Sequence, residues 1–268
     1  MSNNKKTAGG FSALVGALAI AISLVIGICI YVFILGNPAN FVDNNPENEA
    51  LQGNYLGIVH KGGFIVPVLI SVNFIVIIFT IERFITLAKA KGKGSLDAFV
   101  QKIKGLLAAG KVNEAISECD KQKGSLANVV RAGLEKYNLT KNDSSLDKES
   151  KIEAVKKELE EATALELPML SKNLVVLSTV ASVSTLIGLI GTVLGMIKSF
   201  AAMSHGAPDT SQLAAGISEA LINTVLGILG SCIAIIMYNL FSTKIDQMTH
   251  SMDEASFTIV QDFSKSVE

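Results

Sequence analysis

Four apolar runs, each long enough to cross a lipid bilayer, decide what this chain can fold into. They are Phe11–Leu35, Phe64–Ile81, Leu174–Ile197 and Ala220–Phe241, and none contains an acidic or basic residue. About 20 such residues in a helix span a hydrocarbon core of roughly 30 Å. The chain is 49% hydrophobic and only 18% charged, with mean hydropathy +0.45, and its apolar residues are clustered. The expectation is an all-α polytopic membrane protein with four spans, the last two long and extending into a helical cytoplasmic domain. There is no Trp, so interfacial anchoring falls to Tyr31, Tyr55 and Tyr238.

The same composition excludes several functions. A net charge of -1 gives no reason to expect nucleic acid as a partner. Cys29, Cys119 and Cys232 are scattered without a CxxC, and read as small apolar filler. His60, His205 and His250 are equally dispersed. No zinc spacing, nucleophile triad or phosphate loop is present, so neither an intrinsic enzyme nor a bound metal or cofactor is expected.

Charge sets the expected topology. Lys5 and Lys6 hold residues 1–10 inside, ahead of a first span at 11–35. That span reads as retained rather than as a signal peptide: it is long for a signal core, and Gly36-Asn37-Pro38-Ala39 is a poor cleavage site. The 36–63 loop lies outside with Asp43, Glu47, Glu49 and a lone Lys61. A second span at 64–82 is followed by Arg83, Lys89, Lys91 and Lys93, which place residues 83–173 inside. The third span is 174–200, the short outer loop 201–213 and the fourth span 214–242. Lys244 then starts an inner C-terminal helix, 243–268.

The inner segment reads as helical. Leu96, Phe99, Val100, Ile103, Leu106 and Leu107 recur at helical spacing, with Ser95 as N-cap and Gly110 as stop. Short helices are expected at Val112–Asp120 and Leu126–Tyr137, then a loop over Asn138–Lys148. Lys151–Leu167 forms a charged helix with i,i+4 pairs such as Glu153–Lys157, running into the third span and broken at most locally by Pro168.

The last two spans carry a stripe of small and polar residues. Ala181, Ser184, Thr185, Gly188, Thr192, Gly195 and Ser199 share one face of the third, with Gly191 beside them. Gly216, Ala220, Asn223, Thr224, Gly227, Ser231 and Ala234 share one face of the fourth. Close helix packing accounts for most of these, Gly188, Gly191, Gly195 and Gly227 above all. Thr192 and Thr224 stand apart, because each lies about 14–15 Å below its outer loop and so near the midplane. Glu219 lies about 7 Å outward of Thr224, with Asn223 one turn inward of the carboxylate. An acidic residue at such depth is a functional candidate, and burial disfavours the charged form of a carboxylate, so Glu219 is a candidate proton holder. Snorkelling to the headgroups is the plainer alternative.

At these residues the chain resembles the ExbB/TolQ/MotA proton-channel family, and ExbB members in particular. The resemblance is carried by GLIGTVLGMIKSF (Gly188–Phe200) and ISEALINTVLGILGS (Ile217–Ser231), with IERFITL (Ile81–Leu87) and the Ile152–Leu170 stretch in support. It covers about residues 60 to 245 in matching order. It implies a multi-pass subunit of the bacterial inner membrane, with both termini cytoplasmic and the outer loops periplasmic. It implies a homo-pentamer around two copies of an ExbD-type single-span partner whose membrane aspartate carries protons. A TonB-type protein would pass the energy to outer-membrane nutrient import. On this resemblance Thr192, Thr224 and Glu219 line the proton path, with Asn223 beside them.

The chain departs from the family's simpler members, which have three spans. Four spans are shared with the flagellar stator subunit MotA, but the 36–63 loop is long here and no proline ends the fourth span. A MotA-like stator or TolQ-like subunit remains the alternative motor. A passive membrane scaffold or transporter subunit, its stripe serving only packing, is the alternative of another class.

Overall fold

A computed structural model describes residues 5–141, 143, 145–203 and 210–266. His205, the middle of the expected 201–213 loop, part of the 138–148 loop and both chain ends lie outside the described residues. No strand occurs among the described residues beyond an isolated bridge between Phe41 and Ala50. The helices are α1 (Lys5–Cys29), α2 (Tyr55–His60), α3 (Val66–Lys91), α4 (Leu96–Ala108), α5 (Val112–Gln122), α6 (Ser125–Lys141), α7 (Lys148–Ser171), α8 (Leu174–Met203) and α9 (Thr210–Ser266). Four helical stretches are long and apolar enough to cross a membrane: Leu18–Leu35, Gly63–Ala108, Lys148–Met203 and Thr210–Ser266. The chain is an all-α polytopic membrane protein.

It divides into two compact units. The first combines residues 1–81 with 176–238. Here the burial pattern is that of a lipid-facing bundle. Ser184, Ser199, Asn223 and Ser231 are buried, while Ile190, Val193, Ile197, Leu221, Val225 and Ile228 are exposed. Small residues allow the contact. A Cβ added at Gly188 would meet the Gly227 Cα at 3.1 Å, and one at Gly195 would meet the Gly216 carbonyl at 2.7 Å. Backbones this close reward small side chains and interhelical hydrogen bonds. The Ser184 hydroxyl donates to the Gly227 carbonyl at 2.9 Å, Ser199 to Leu213 at 3.1 Å, and the Asn73 amide of α3 to Leu226 at 3.3 Å. Residue numbers rise along α8 as their partners on α9 fall, so the two helices are antiparallel.

The 36–63 segment of this unit is folded. A π-helical turn, Ile30–Leu35, ends α1. The buried Asn40 amide then donates to the Ile34 and Leu35 carbonyls at 2.8 and 3.0 Å. Asn54 donates to Asn40 at 3.0 Å and caps α2 by accepting from the Leu56 and Gly57 amides. His60 stacks on Tyr31 with ring centroids 4.5 Å apart and meets Phe41 edge-on at 5.3 Å. Lys61 Nζ donates to the Pro46 and Glu47 carbonyls at 2.9 and 3.0 Å.

The second unit combines residues 82–175 with 239–268. Helices α4 to α7 pack in chain order, burying Phe99, Ile103, Leu126, Val130, Leu134 and Leu159. The end of α9 buries Phe241, Ile245, Met248, Met252, Ala255, Ile259 and Phe263, at steps of three and four that keep one apolar face. Arg83 is only 1% exposed, and its guanidinium is held by Glu82 at 2.6 Å and the Leu170 carbonyl at 3.2 Å. Cys119 is buried here, whereas Cys29 and Cys232 are exposed on apolar helices.

One local expectation changes. The α7 helix continues through Pro168 to Ser171, and the break before α8 falls at Lys172 and Asn173 instead. Asn173 takes φ 62, a left-handed conformation that asparagine tolerates better than most residues. The charged face of α7 holds i,i+4 pairs at Lys156–Glu160 (3.9 Å) and Lys157–Glu161 (3.8 Å).

Candidate functional site

The polar residues singled out on α8 and α9 meet along one seam. Thr192 and Thr224, both half-buried, hydrogen-bond to each other through their hydroxyls. Thr192 also reaches its own Gly188 carbonyl and Thr224 its Ala220 carbonyl, both at 3.1 Å. Two hydroxyls carry two protons, yet three bonds are within reach. At any moment one of the three bonds is therefore unmade, and the pair can accept from a passing carrier but donates to it only by releasing a backbone carbonyl or its partner hydroxyl.

Next to Thr224 on α9 sits Asn223, fully buried. Its amide nitrogen donates to the Gly62 carbonyl at 2.9 Å. Its Oδ1 is buried and has no hydrogen-bond partner among the described residues. An orphaned buried acceptor costs about 1–3 kcal/mol, which marks the position as more than packing. Gly191 makes room for it: a Cβ there would come within 2.7 Å of the Asn223 Cγ.

One turn nearer the α9 N-terminus than Asn223, Glu219 is 7% exposed. Lys198 Nζ lies 2.8 Å from its Oε2. The carboxylate therefore neither stands alone nor snorkels freely. Gly63, with φ +79, packs against the other side of the carboxylate, where an added Cβ would lie 3.0 Å from Cδ. Gly188, Gly191, Gly195 and Gly227 are all buried along the same seam.

Sequence reading brought together Thr192, Thr224, Asn223 and Glu219 but missed Lys198, Gly62, Gly63 and Asn73. Lys198 had a visible signal, since it is the first charge after the third apolar run. Gly62 and Gly63 had none, because they lie more than 150 residues from the groups they touch.

A membrane bundle whose buried seam holds paired hydroxyls, an orphaned amide oxygen and an ion-paired carboxylate is a candidate ion path. The MotA/TolQ/ExbB proton channel family matches residues 121–254, half of the chain. The chain is 31% identical to the Tol-Pal system protein TolQ of Pseudomonas aeruginosa over 163 residues, 60% of this chain and 70% of that protein. It is 29% identical to the biopolymer transport protein ExbB of Pseudomonas putida over 226 residues, 81% of this chain and 68% of that protein. It is 42% identical to an ExbB-like biopolymer transport protein of Synechocystis over 86 residues, 31% of this chain and 41% of that protein's length. The chain belongs to the MotA/TolQ/ExbB proton channel family.

Proposed function

We propose that this protein is an ExbB-like subunit of a motor in the bacterial inner membrane, driven by the proton-motive force. The observation that carries this reading is the seam of Glu219, Asn223, Thr192 and Thr224, buried within an otherwise apolar helix pair. No aspartate lies in the four apolar runs, so the chain is a poor proton relay by itself. It supplies a wall for a carrier brought by another chain. That carrier is the membrane aspartate of an ExbD-type single-span partner, enclosed in two copies by a closed ring of roughly five copies of this chain. Each proton crossing the membrane releases about 2.3 kcal/mol per 100 mV, and a TonB-type protein transmits this energy to outer-membrane nutrient import. Both termini and residues 83–173 face the cytoplasm, while 36–63 and 201–213 face the periplasm.

The TolQ similarity supports a second reading in which the same motor drives a different load. One experiment addresses both. The complex is purified from native membranes in mild detergent and its intact mass and components are determined. A co-purifying single-span protein with an aspartate in its span supports the motor, and the identity of the third component separates a TonB-type from a Tol-type load. A complex of this chain alone, or with a partner lacking a membrane carboxylate, sinks the proposal and leaves a packing scaffold.

A further inference from the structure

A cavity of about 610 Å³ opens beside the Lys198–Glu219 pair. Its lining includes Glu47, Glu49, Lys61, Lys198, Ser218 and Glu219. Glu47, Glu49 and Lys61 come from the 36–63 segment. Lys61 is committed to the Pro46 and Glu47 carbonyls and sits 5.4 Å over the Phe41 ring. The Glu47 and Glu49 side chains are exposed, so the segment sets two carboxylates and one ammonium along the cavity, an excess of one negative charge. The segment is also fastened to the seam, through the Gly62 carbonyl on Asn223 and Gly63 against Glu219. A concave wall with more carboxylates than ammonium groups concentrates cations.

We propose that the folded 36–63 segment builds an outward-facing cation vestibule, through which a monovalent cation, proton or sodium, reaches Glu219. The proposal rests on the motor reading and on its assignment of this segment to the outer side. Its floor is the Lys198–Glu219 pair, its wall is Ala214, Ala215 and Ser218 of α9, and its rim carries Glu47 and Glu49. The cation passes from the rim to the buried carboxylate and then meets the unpartnered Asn223 oxygen and the threonine pair.

The test uses the whole complex, with its partner, reconstituted in liposomes. Ser218→Cys is introduced into a background in which Cys29, Cys119 and Cys232 are replaced by alanine. A cationic, membrane-impermeant methanethiosulfonate is added on the side bearing the 36–63 segment, and attachment is followed by mass. Attachment with a flux loss of about tenfold or more is expected. In the parent complex, Glu47→Gln combined with Glu49→Gln lowers flux several-fold near 0.01 M salt, where charges act over about 30 Å. That deficit closes near 1 M salt, where they act over about 3 Å. Sodium-free and sodium-containing buffers at fixed pH identify the cation. Complete labelling with unchanged flux, failure to label from that side, or a double variant equal to the parent at low salt each overturns the vestibule. Glu219→Gln is measured alongside: if its flux is also unchanged, the motor reading itself fails rather than the vestibule alone.

Discussion

The Lys198 ammonium, near the C-terminus of α8, lies 2.8 Å from the Glu219 carboxylate, near the N-terminus of α9. The two side chains are unequal partners, at 66% and 9% exposed. The Lys198 side chain remains in contact with solvent, while the Glu219 side chain is enclosed in the seam.

Replacing Lys198 by Met therefore acts on ion movement more than on stability. Because solvent screens the lysine, the expected loss in stability is about 0.5–1 kcal/mol. Flux falls far more than melting temperature in detergent, and Lys198→Arg, which keeps the positive charge beside the Glu219 carboxylate, retains both. Equal loss of melting temperature and flux would contradict this.

The hydroxyls of Thr192 and Thr224 act as a unit. Thr192→Val or Thr224→Val removes one of them at almost constant volume, and each lowers flux by about five- to tenfold, the scale of a single hydrogen bond. The double variant is little worse than either, because both singles break the same bond. Serine at either position retains flux. Multiplicative losses in the double variant would show that the hydroxyls work separately.

Close approach of α8 and α9 depends on the absence of side chains. Leucine at Gly191 or Gly227 overpacks the seam and costs about 1–3 kcal/mol. The expected readout is a lower melting temperature and dissociation of the complex in intact-mass measurements. At Gly191 the displaced neighbour is Asn223, so flux is lost there before assembly is.

Burial pushes the Cys119 thiol up to about 12, with the neighbouring Asp120 charge adding to the effect. Its reactive thiolate is negligible at neutral pH. Maleimide added to the folded complex at pH 7 leaves Cys119 unmodified, and modification appears only on denaturation. Mass spectrometry of the peptide holding Cys119 decides the matter, and rapid labelling of native protein would refute the buried placement.

His60 is held below its ordinary value by burial first and by the Lys61 charge second. The folded 36–63 segment thus prefers neutral imidazole, and the unfolded chain binds the proton more readily. The contribution to stability is complete above the ordinary histidine value near pH 6.5 and declines as pH falls through the lowered folded value. Proteolysis of this segment should increase below about pH 6. His60→Gln should flatten that pH dependence.

The sequence by itself determined the four spans and the face they share. Hydrophobic transfer adds residue by residue along a helix, so the runs and the interruptions at Gly188, Thr192, Asn223 and Thr224 could be read without neighbours. Counting residues along each helix from the loop that joins them also placed Thr192 and Thr224 at one depth, but only the structure brings their hydroxyls together within one chain. The break at Asn173 was harder to read, since a left-handed residue and a proline compete within six positions and local propensity does not rank them. Tertiary structure alone decided that Lys198 reaches Glu219, that the Gly62 carbonyl holds Asn223, and that residues 36–63 fold onto the seam. Those contacts depend on the antiparallel register of α8 and α9 and on where a distant segment returns, and neither is encoded in the spacing of residues along one helix.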